Sequence, residues 1–239
     1  MLTNIRFPPY LTAQELDEYL ARGWFRMGQV IFTTNYIVYE ENLFPTHWLR
    51  YPVAAIRLSK THQKIIKANR SFSVVVKKLV ITQELKDLYQ NYKSGVRFEA
   101  VESLKHFLMD GGSGDIYNSS VIEIRDQQQL IAAGIFDSGD NSIAGIINFY
   151  DPAYKKYSPG KYLILMKTLY AKEKGIAWYH PGYILEGNPQ FDYKLFIGEP
   201  IASLYVPALD QWMPYRDFVR NNWFRSRAND PQSPPFLYP

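Results

Sequence analysis

The stretch Gly182-Tyr183-Ile184-Leu185-Glu186-Gly187-Asn188-Pro189-Gln190-Phe191-Asp192-Tyr193-Lys194 gathers an ammonium, two carboxylates and two phenols in a short span. A carboxylate such as Asp192 or Glu186 can orient an amine or take its proton, and an ammonium such as Lys194 can pair with a carboxylate or a phosphate. Tyr183 and Tyr193 can stack on a base or donate a hydrogen bond, although buried aromatic core is the plainer account of Tyr193. Glu186 equally suits a solvated turn. His180, just upstream, is a lone histidine of the kind more often met as a hydrogen-bonded core residue.

A second group of residues suits an anion. Ser158-Pro159-Gly160 opens a helical pattern, and a helix start offers free backbone N–H groups and a positive dipole end to a phosphate or a carbonyl oxygen. Lys155, Lys156 and Lys161 surround it with positive charge. Upstream, Arg57, Lys60, Lys64, Lys67 and Arg70 recur every three or four residues, a spacing that stacks cations on one helix face. That face either meets a polyanion or is simply solvated. The chain of 239 residues carries 27 Lys and Arg against 23 Asp and Glu, a formal charge of +4, which permits an RNA partner without requiring one.

Cysteine is absent, which removes disulfides, iron–sulfur clusters, thiolate zinc sites and a cysteine nucleophile. His47, His62, His106 and His180 are scattered without ligand spacing, so no metal is expected. The N-terminal residues lack the continuous apolar region of a signal peptide, and no run approaches the ~18 apolar residues of a membrane span. A cytoplasmic location without membrane contact is the expectation.

The elements that must position these residues follow from periodicity. Thr12-Ala13-Gln14-Glu15 has the capping-box pattern, and Leu16, Tyr19 and Leu20 share a helical face until Gly23. Gln29 to Thr34, Ile37 to Tyr39 and Trp48 to Leu58 are rich in β-branched and aromatic residues, as strands are, with Pro52 marking an edge or bulge. After the basic helix come a strand over 71–81 and a helix capped by Thr82, with Leu85, Leu88, Tyr89 and Tyr92 inward. Val101, Leu104, Phe107 and Leu108 repeat the helical pattern. Gly111-Gly112-Ser113-Gly114 then marks a boundary between residues 1–112 and 113–239. Val121 to Arg125, Leu130 to Phe136 and Ser142 to Tyr150 predict a meander with short polar turns. A loop over 151–156, a helix over 159–174 with Leu163, Met166, Leu169 and Tyr170 inward, and a strand from Ile176 follow. The proline-containing tail from Asn229 to Pro239 reads as extended.

Three antiparallel strands, a helix starting in a glycine-containing loop, then another strand is the element order of the acyltransferase fold called GNAT. The expected class is therefore α+β: a GNAT-like mixed sheet flanked by helices in residues 113–239, with a smaller N-terminal α/β domain carrying the basic helix in 1–112. Gly182 to Lys194 resembles the C-terminal signature of the arginyl- and leucyl-tRNA-protein transferases, which show a Gly-Tyr pair, a short turn with Pro, then Met-(Asp or Arg)-Tyr-Lys. Phe149-Tyr150-Asp151-Pro152 resembles that family's Tyr-Asp-Pro, and Ser158-Pro159-Gly160 its Ser-Leu-Gly. Gly23-Trp24-Phe25-Arg26-Met27-Gly28 is similar to Gly-Phe-Arg-Arg-Ser-Gly. Leu49-Arg50-Tyr51-Pro52-Val53 through Ile65-Ile66-Lys67-Ala68-Asn69 is similar to Leu-Arg-Val-Pro-Val and a basic stretch ending in Asn.

The resemblance implies transfer of Leu or Arg from a charged tRNA to the N-terminal α-amine of proteins that begin with Asp or Glu, an N-degron tag. The aminoacyl-tRNA is then the co-substrate and no cofactor is implied. It assigns Lys194, Asp192, Tyr183 and Glu186 to catalysis. Tyr150, Ser158, Gly160, Lys155, Lys156, Lys161, Arg50, Arg57, Lys64 and Lys67 fall to the tRNA donor, and Arg26, Tyr193 and His180 to the acceptor. The family's cysteines are missing: Pro8-Pro9-Tyr10-Leu11 and Phe44-Pro45-Thr46-His47 occupy those places without a thiol, so thiol-dependent control is not expected. Phe191 and Gln190 replace the family's Met and the Lys before it. The Glu186-Gly187-Asn188-Pro189 turn leans toward the bacterial leucyl-type branch. Two alternatives also fit these residues. A coenzyme A-dependent N-acyltransferase would need an Arg/Gln-x-x-Gly-x-Gly/Ala loop, where Tyr157 and Tyr162 instead flank Gly160. A catalytically silent RNA- or degron-binding relative would accommodate the lost cysteines and the motif changes.

Overall fold

The computed structural model of the protein describes residues 3–96, 100–110 and 115–220. The glycine run at 111–114 and the tail at 229–239 lie outside them. Strand β1 (Thr3–Arg6), helix α1 (Ala13–Ala21), β2 (Phe25–Met27) and β3 (Val30–Thr34) come first, the three strands forming an antiparallel sheet in the order β1-β3-β2. Helix α1 begins at the predicted capping box: Thr12 accepts from the amide of Glu15, and the Glu15 carboxylate accepts from the amide of Thr12. Thr12→Ala is expected to lower stability by about 1 kcal/mol and the thermal midpoint by roughly 2–4 °C. An unchanged midpoint in a thermal melt would mean that buried Leu16 and Leu20 hold the helix without the cap.

Hairpin strands β4 (Tyr36–Tyr39) and β5 (Asn42–Pro52) follow. Strand β5 begins earlier than composition predicts because the turn at Glu40 and Glu41 folds its first residues back onto β4. It ends at Pro52, which has no amide to continue the ladder, and the chain bends into a 3-10 turn at Val53–Ala55. Next come α2 (Lys60–Ala68), β6 (Ser73–Lys78), α3 (Gln83–Gly95), α4 (Leu104–Met109), β7 (Ser119–Asp126), β8 (Gln129–Ser138), β9 (Ser142–Tyr150), α5 (Pro159–Glu173) and β10 (Trp178–Leu185). Two short strands and a helix the sequence reading did not find, β11 (Ser203–Val206), β12 (Gln211–Pro214) and α6 (Tyr215–Arg220), complete the described chain.

The second sheet has the order β12-β11-β5-β10-β9-β8-β7-β6, with β4 paired to β5 off that path. Every pairing is antiparallel except that of β9 with β10. It draws β4, β5 and β6 from the first half of the chain and β7 to β12 from the second. Neighbouring residues of a strand face opposite sides. Accordingly Ile135 of β8 joins Leu85, Leu88 and Leu104 of α3 and α4, whereas Phe136 joins Leu163 and Ile164 of α5. The class is mixed α+β, a large sheet flanked by helices.

Helix α5 buries a face different from the predicted one. Tyr162 to Leu165, Lys167, Thr168 and Ala171 are buried, while Met166, Leu169 and Tyr170 are half-buried. The reason is that α5 packs on β8 and β9 and is also covered by α2 and the 189–197 segment, so its spacing carries little face preference. Lys167 reaches the sheet at Gly134, where a Cβ would stand 3.1 Å from its Cε, and donates to Ile135 O at 2.7 Å and Asn148 Oδ1 at 2.9 Å. Burial lowers its pKa to about 7, against the pull of Asp137.

Candidate functional site

Strands β9 and β10 run in the same direction and pair only through Ser142–Ala144 and Trp178–His180. Beyond those residues they part, and the sequence of β10 supplies the cause. Pro181 has no amide to donate, and Gly182 stands at φ 102°, a conformation that side-chain-bearing residues rarely adopt. On the other edge, β10 shifts register against β5 between Tyr179 and Gly182.

Lys194 enters this region from the 3-10 segment Pro189–Ile197, whose start is capped by the Asn188 side chain accepting from the amide of Gln190. Its Nζ donates to the carbonyl of Tyr183 at 2.7 Å. The ammonium also lies 4.6, 4.7 and 5.3 Å from the ring centres of Tyr183, Phe191 and Tyr193. Lys194 is only 8% exposed, and among the described residues no carboxylate lies within ion-pair distance of it. Burial lowers its pKa to about 7, with Asp192 acting in the opposite direction. Partial burial raises the carboxyl of Asp192, and Lys194 holds it down. A cation near carbonyl and π faces, without a bound anion partner, is an arrangement prepared to receive one.

Beside this group lies a cleft of about 380 Å³ lined by residues 184–189, Asp192 and Tyr215, so that Glu186 and Asp192 open onto one space. Glu186 Oε2 is 3.3 Å from His47 Nε2. Tyr183 is stacked on Phe191 at 5.5 Å and meets Trp48 edge-on at 5.5 Å, and burial raises its phenol pKa.

The predicted donor-side residues form an adjacent wall. Tyr150, at the end of β9, lies over Gly160, where a Cβ would come within 3.6 Å of its ring, and its own ring centre is 5.4 Å from that of Tyr92 in α3. Burial raises the Tyr193 phenol, and Tyr92 and Tyr183 add to that rise. Ser158 adopts a left-handed conformation, φ 54°, and gives α5 no side-chain cap. Pro159 has no amide, and those of Gly160 and Lys161 have no acceptor within the helix. Lys155, Lys156 and Lys161 are exposed around this end, as are Arg57, Lys60, Lys64 and Lys67 on and before α2.

Three predicted site residues lie elsewhere. Tyr51 points its hydroxyl at the Lys194 carbonyl, 2.9 Å away, so its neighbour Arg50 faces the opposite side of the sheet. There the Arg50 guanidinium is held between Trp178 and Trp212 at 4.0 and 4.3 Å, and burial lowers its pKa to about 10. His180 is buried on that side against Trp212, with its pKa lowered to about 3 by burial and then by Arg50. Arg26 is a buried structural hub: it donates to Gly28 O at 2.8 Å, Leu108 O at 2.6 Å, Ser119 Oγ at 2.9 Å and Asp137 Oδ1 at 3.0 Å, and lies over the Tyr117 ring. These interactions occupy the guanidinium that the sequence reading gave to an acceptor.

Conversely, the sequence reading missed Tyr51, Tyr92, His47, His62 and Asn69. Tyr92 reads as one more inward residue of α3, and only the fold reveals its ring against Tyr150. Asn69 had a signal, as the residue that ends the basic stretch.

Among the described residues no helix is long and apolar enough to cross a membrane, and no three His, Cys, Asp or Glu side chains gather as metal ligands. Residues 84–198 match the family described as arginine-tRNA-protein transferase, C terminus. The chain is 26% identical over 224 residues to an aspartate/glutamate leucyltransferase of Leptospira interrogans, covering 90% of this chain and 84% of the relative. It is 30% identical over 176 residues to the enzyme of that name from Hyphomonas neptunium, covering 72% of this chain and 59% of the relative. The L-PGS structure from Bacillus licheniformis aligns with a TM-score of 0.40 at 10% identity, over 57% of this chain and 46% of that one, too slight a likeness to carry an argument.

Proposed function

We propose that the chain, whose residues 84–198 match the arginine-tRNA-protein transferase C terminus and whose relatives are named aspartate/glutamate leucyltransferases, is an aminoacyltransferase that donates leucine from its tRNA ester to the N-terminal α-amine of cytoplasmic proteins beginning with Asp or Glu. The observation that carries the acidic preference is Lys194: a buried ammonium with carbonyl and aromatic neighbours and, among the described residues, no carboxylate in ion-pair contact. The side-chain carboxylate of the acceptor's first residue completes it. Leucine rather than arginine as donor is supported by the named activity of the relatives.

The reaction forms a C–N bond between the acceptor amine and the ester carbonyl carbon and breaks the C–O bond to the terminal ribose of the tRNA. The amine loses a proton and the departing hydroxyl gains one. The α-amine has a pKa of about 7.7–8.0, so roughly 10–20% is unprotonated near neutrality and no covalent enzyme intermediate is needed. Asp192, raised by partial burial, receives that proton, and Glu186 across the cleft holds the amine in place. The free amides at the start of α5 face the ester oxygen or the 3′-terminal phosphate, and Lys155, Lys156, Lys161 and the exposed face of α2 hold the tRNA backbone. The element order β7-β8-β9-α5-β10, with parallel β9 and β10 parting beyond Ala144 and His180, supports the GNAT-like reading of the second half.

Labelled leucyl-tRNA and arginyl-tRNA offered in parallel to peptides beginning with Asp, Glu, Asn or Gln test this reading. Transfer from leucyl-tRNA to the acidic pair is expected, with at least about tenfold preference over the amides. Replacing Lys60, Lys64 and Lys67 together by Glu is expected to raise the KM for tRNA about 100-fold or more and to flatten its salt dependence. Equal use of Asn and Asp peptides would remove the acidic preference, and arginine transfer alone would reverse the donor assignment.

A further inference from the structure

We propose that helix α2 is a spacer that couples tRNA engagement to the geometry of the transfer site, with His62 and Asn69 as its positioning residues. The proposal rests on the reading of α2 as a tRNA-binding face and goes beyond it. At 3.6 residues per turn, Lys60, Lys64 and Lys67 fall on one exposed stripe, and His62, Ile65, Ile66 and Asn69 fall on another roughly 180° away. The inner stripe begins and ends with a polar residue, and both are almost fully buried, at 3% and 1% exposure. Buried polar groups persist where they are satisfied, and these two are satisfied by the two walls of the site.

The Ser59 amide donates to His62 Nδ1 at 3.2 Å, which leaves the proton on Nε2. That Nε2 lies 2.8 Å from the carbonyl of Phe196, two residues beyond Lys194, and donates to it. Asn69 Nδ2 donates to Ile65 O within the helix and to the carbonyl of Tyr157, next to Ser158 at the start of α5, each at 2.9 Å. One short helix thus grips the Lys194 segment near its first turn and the approach to α5 at its last, about 10 Å apart along its axis. Ile65 and Ile66 pack on the main core between these grips. Tyr51 holds the Lys194 carbonyl from the sheet, so α2 and the sheet grip the Lys194 segment from two sides. Phosphates seated on the lysine stripe fix the position of α2 and, through the two carbonyls, the spacing between the ester-binding end of α5 and the ammonium that receives the acceptor. A misplacement near 1 Å at reacting groups lowers rates about 100-fold, so small shifts of α2 are sufficient.

Hydrogen exchange, tRNA affinity and single-turnover transfer, measured on the same full-length variants, test this coupling. In the wild type, deacylated tRNA is expected to slow amide exchange across residues 189–197. His62→Ala is expected to bind tRNA within about twofold of wild type, to lose that slowing and to transfer from saturating leucyl-tRNA at least about tenfold more slowly. Asn69→Ala is expected to act likewise through α5. His62→Gln, which keeps a donor for the Phe196 carbonyl, is expected to recover most of the rate, which a general loss of packing would not produce. Wild-type transfer by His62→Ala, or His62→Gln as slow as His62→Ala, would overturn the coupling alone. Unchanged tRNA affinity after replacing Lys60, Lys64 and Lys67 by Ala would instead overturn the tRNA face on which the coupling stands.

Discussion

Lys194→Met is expected to transfer leucine to an Asp-initiated peptide with kcat/KM lowered about 30- to 1000-fold while melting no lower than the wild type. The size of the activity loss follows from leaving an acceptor carboxylate in a partly desolvated site without its cation, which costs about 2–4 kcal/mol. The stability result has the opposite sign because Lys194 is itself a burden on the fold. Its pKa in the folded protein is about 7, against about 10.4 in the unfolded chain. Between those values the unfolded chain binds more protons, so stability rises with pH across that window, and below pH 7 the full burial penalty is present. Methionine has a similar reach and no charge, and it removes the penalty. Reduced activity with reduced stability would indicate that Lys194 serves packing instead.

Arg26→Met is expected to lower stability by about 3–5 kcal/mol, a fall of roughly 10 °C in Tm, while the folded fraction transfers leucine at close to the wild-type rate. Burial already raises the pKa of Asp137, and its Oδ2 has no partner among the described residues, so removing Arg26 leaves a buried carboxyl held by Ser119 alone. Replacing both partners, Arg26→Met with Asp137→Leu, is expected to restore much of the loss, because it removes the unpaired group. An acceptor-binding Arg26 would behave differently: KM for the peptide would rise with Tm unchanged. Peptide kinetics alongside thermal melts separate these roles.

Strand alternation and capping chemistry made most of the second half of the chain legible, and β7, β8, β9, α5 and β10 stand within a few residues of their predicted places. The cluster of Tyr183, Asp192, Tyr193 and Lys194 was legible because those residues are close in sequence. What the sequence concealed was orientation. Arg50 is one residue from Tyr51, and only the register of β5 against β10 shows that the two point to opposite faces. The resemblance gives Arg26 to the acceptor, yet its partners are carbonyls and side chains remote in sequence, which spacing does not show. His62 and Asn69 sit within a basic stretch whose charge drew attention to the outer face of α2, although the inner face makes the connections.

The pH dependence of kcat/KM for an Asp-initiated peptide, in the wild type and in Lys194→Met, decides whether an ammonium at Lys194 receives the acceptor. This parameter reports groups in the free enzyme and free substrate. With Lys194 in its proposed role, transfer needs the acceptor amine unprotonated, with pKa about 7.7–8.0, and Lys194 protonated, with pKa about 7, so a bell with its maximum between those values is expected. In Lys194→Met only the rise through the amine pKa should remain, levelling above about pH 8 without a fall. An alkaline limb of the same shape in both proteins would contradict an ammonium at Lys194 as the group that receives the acceptor.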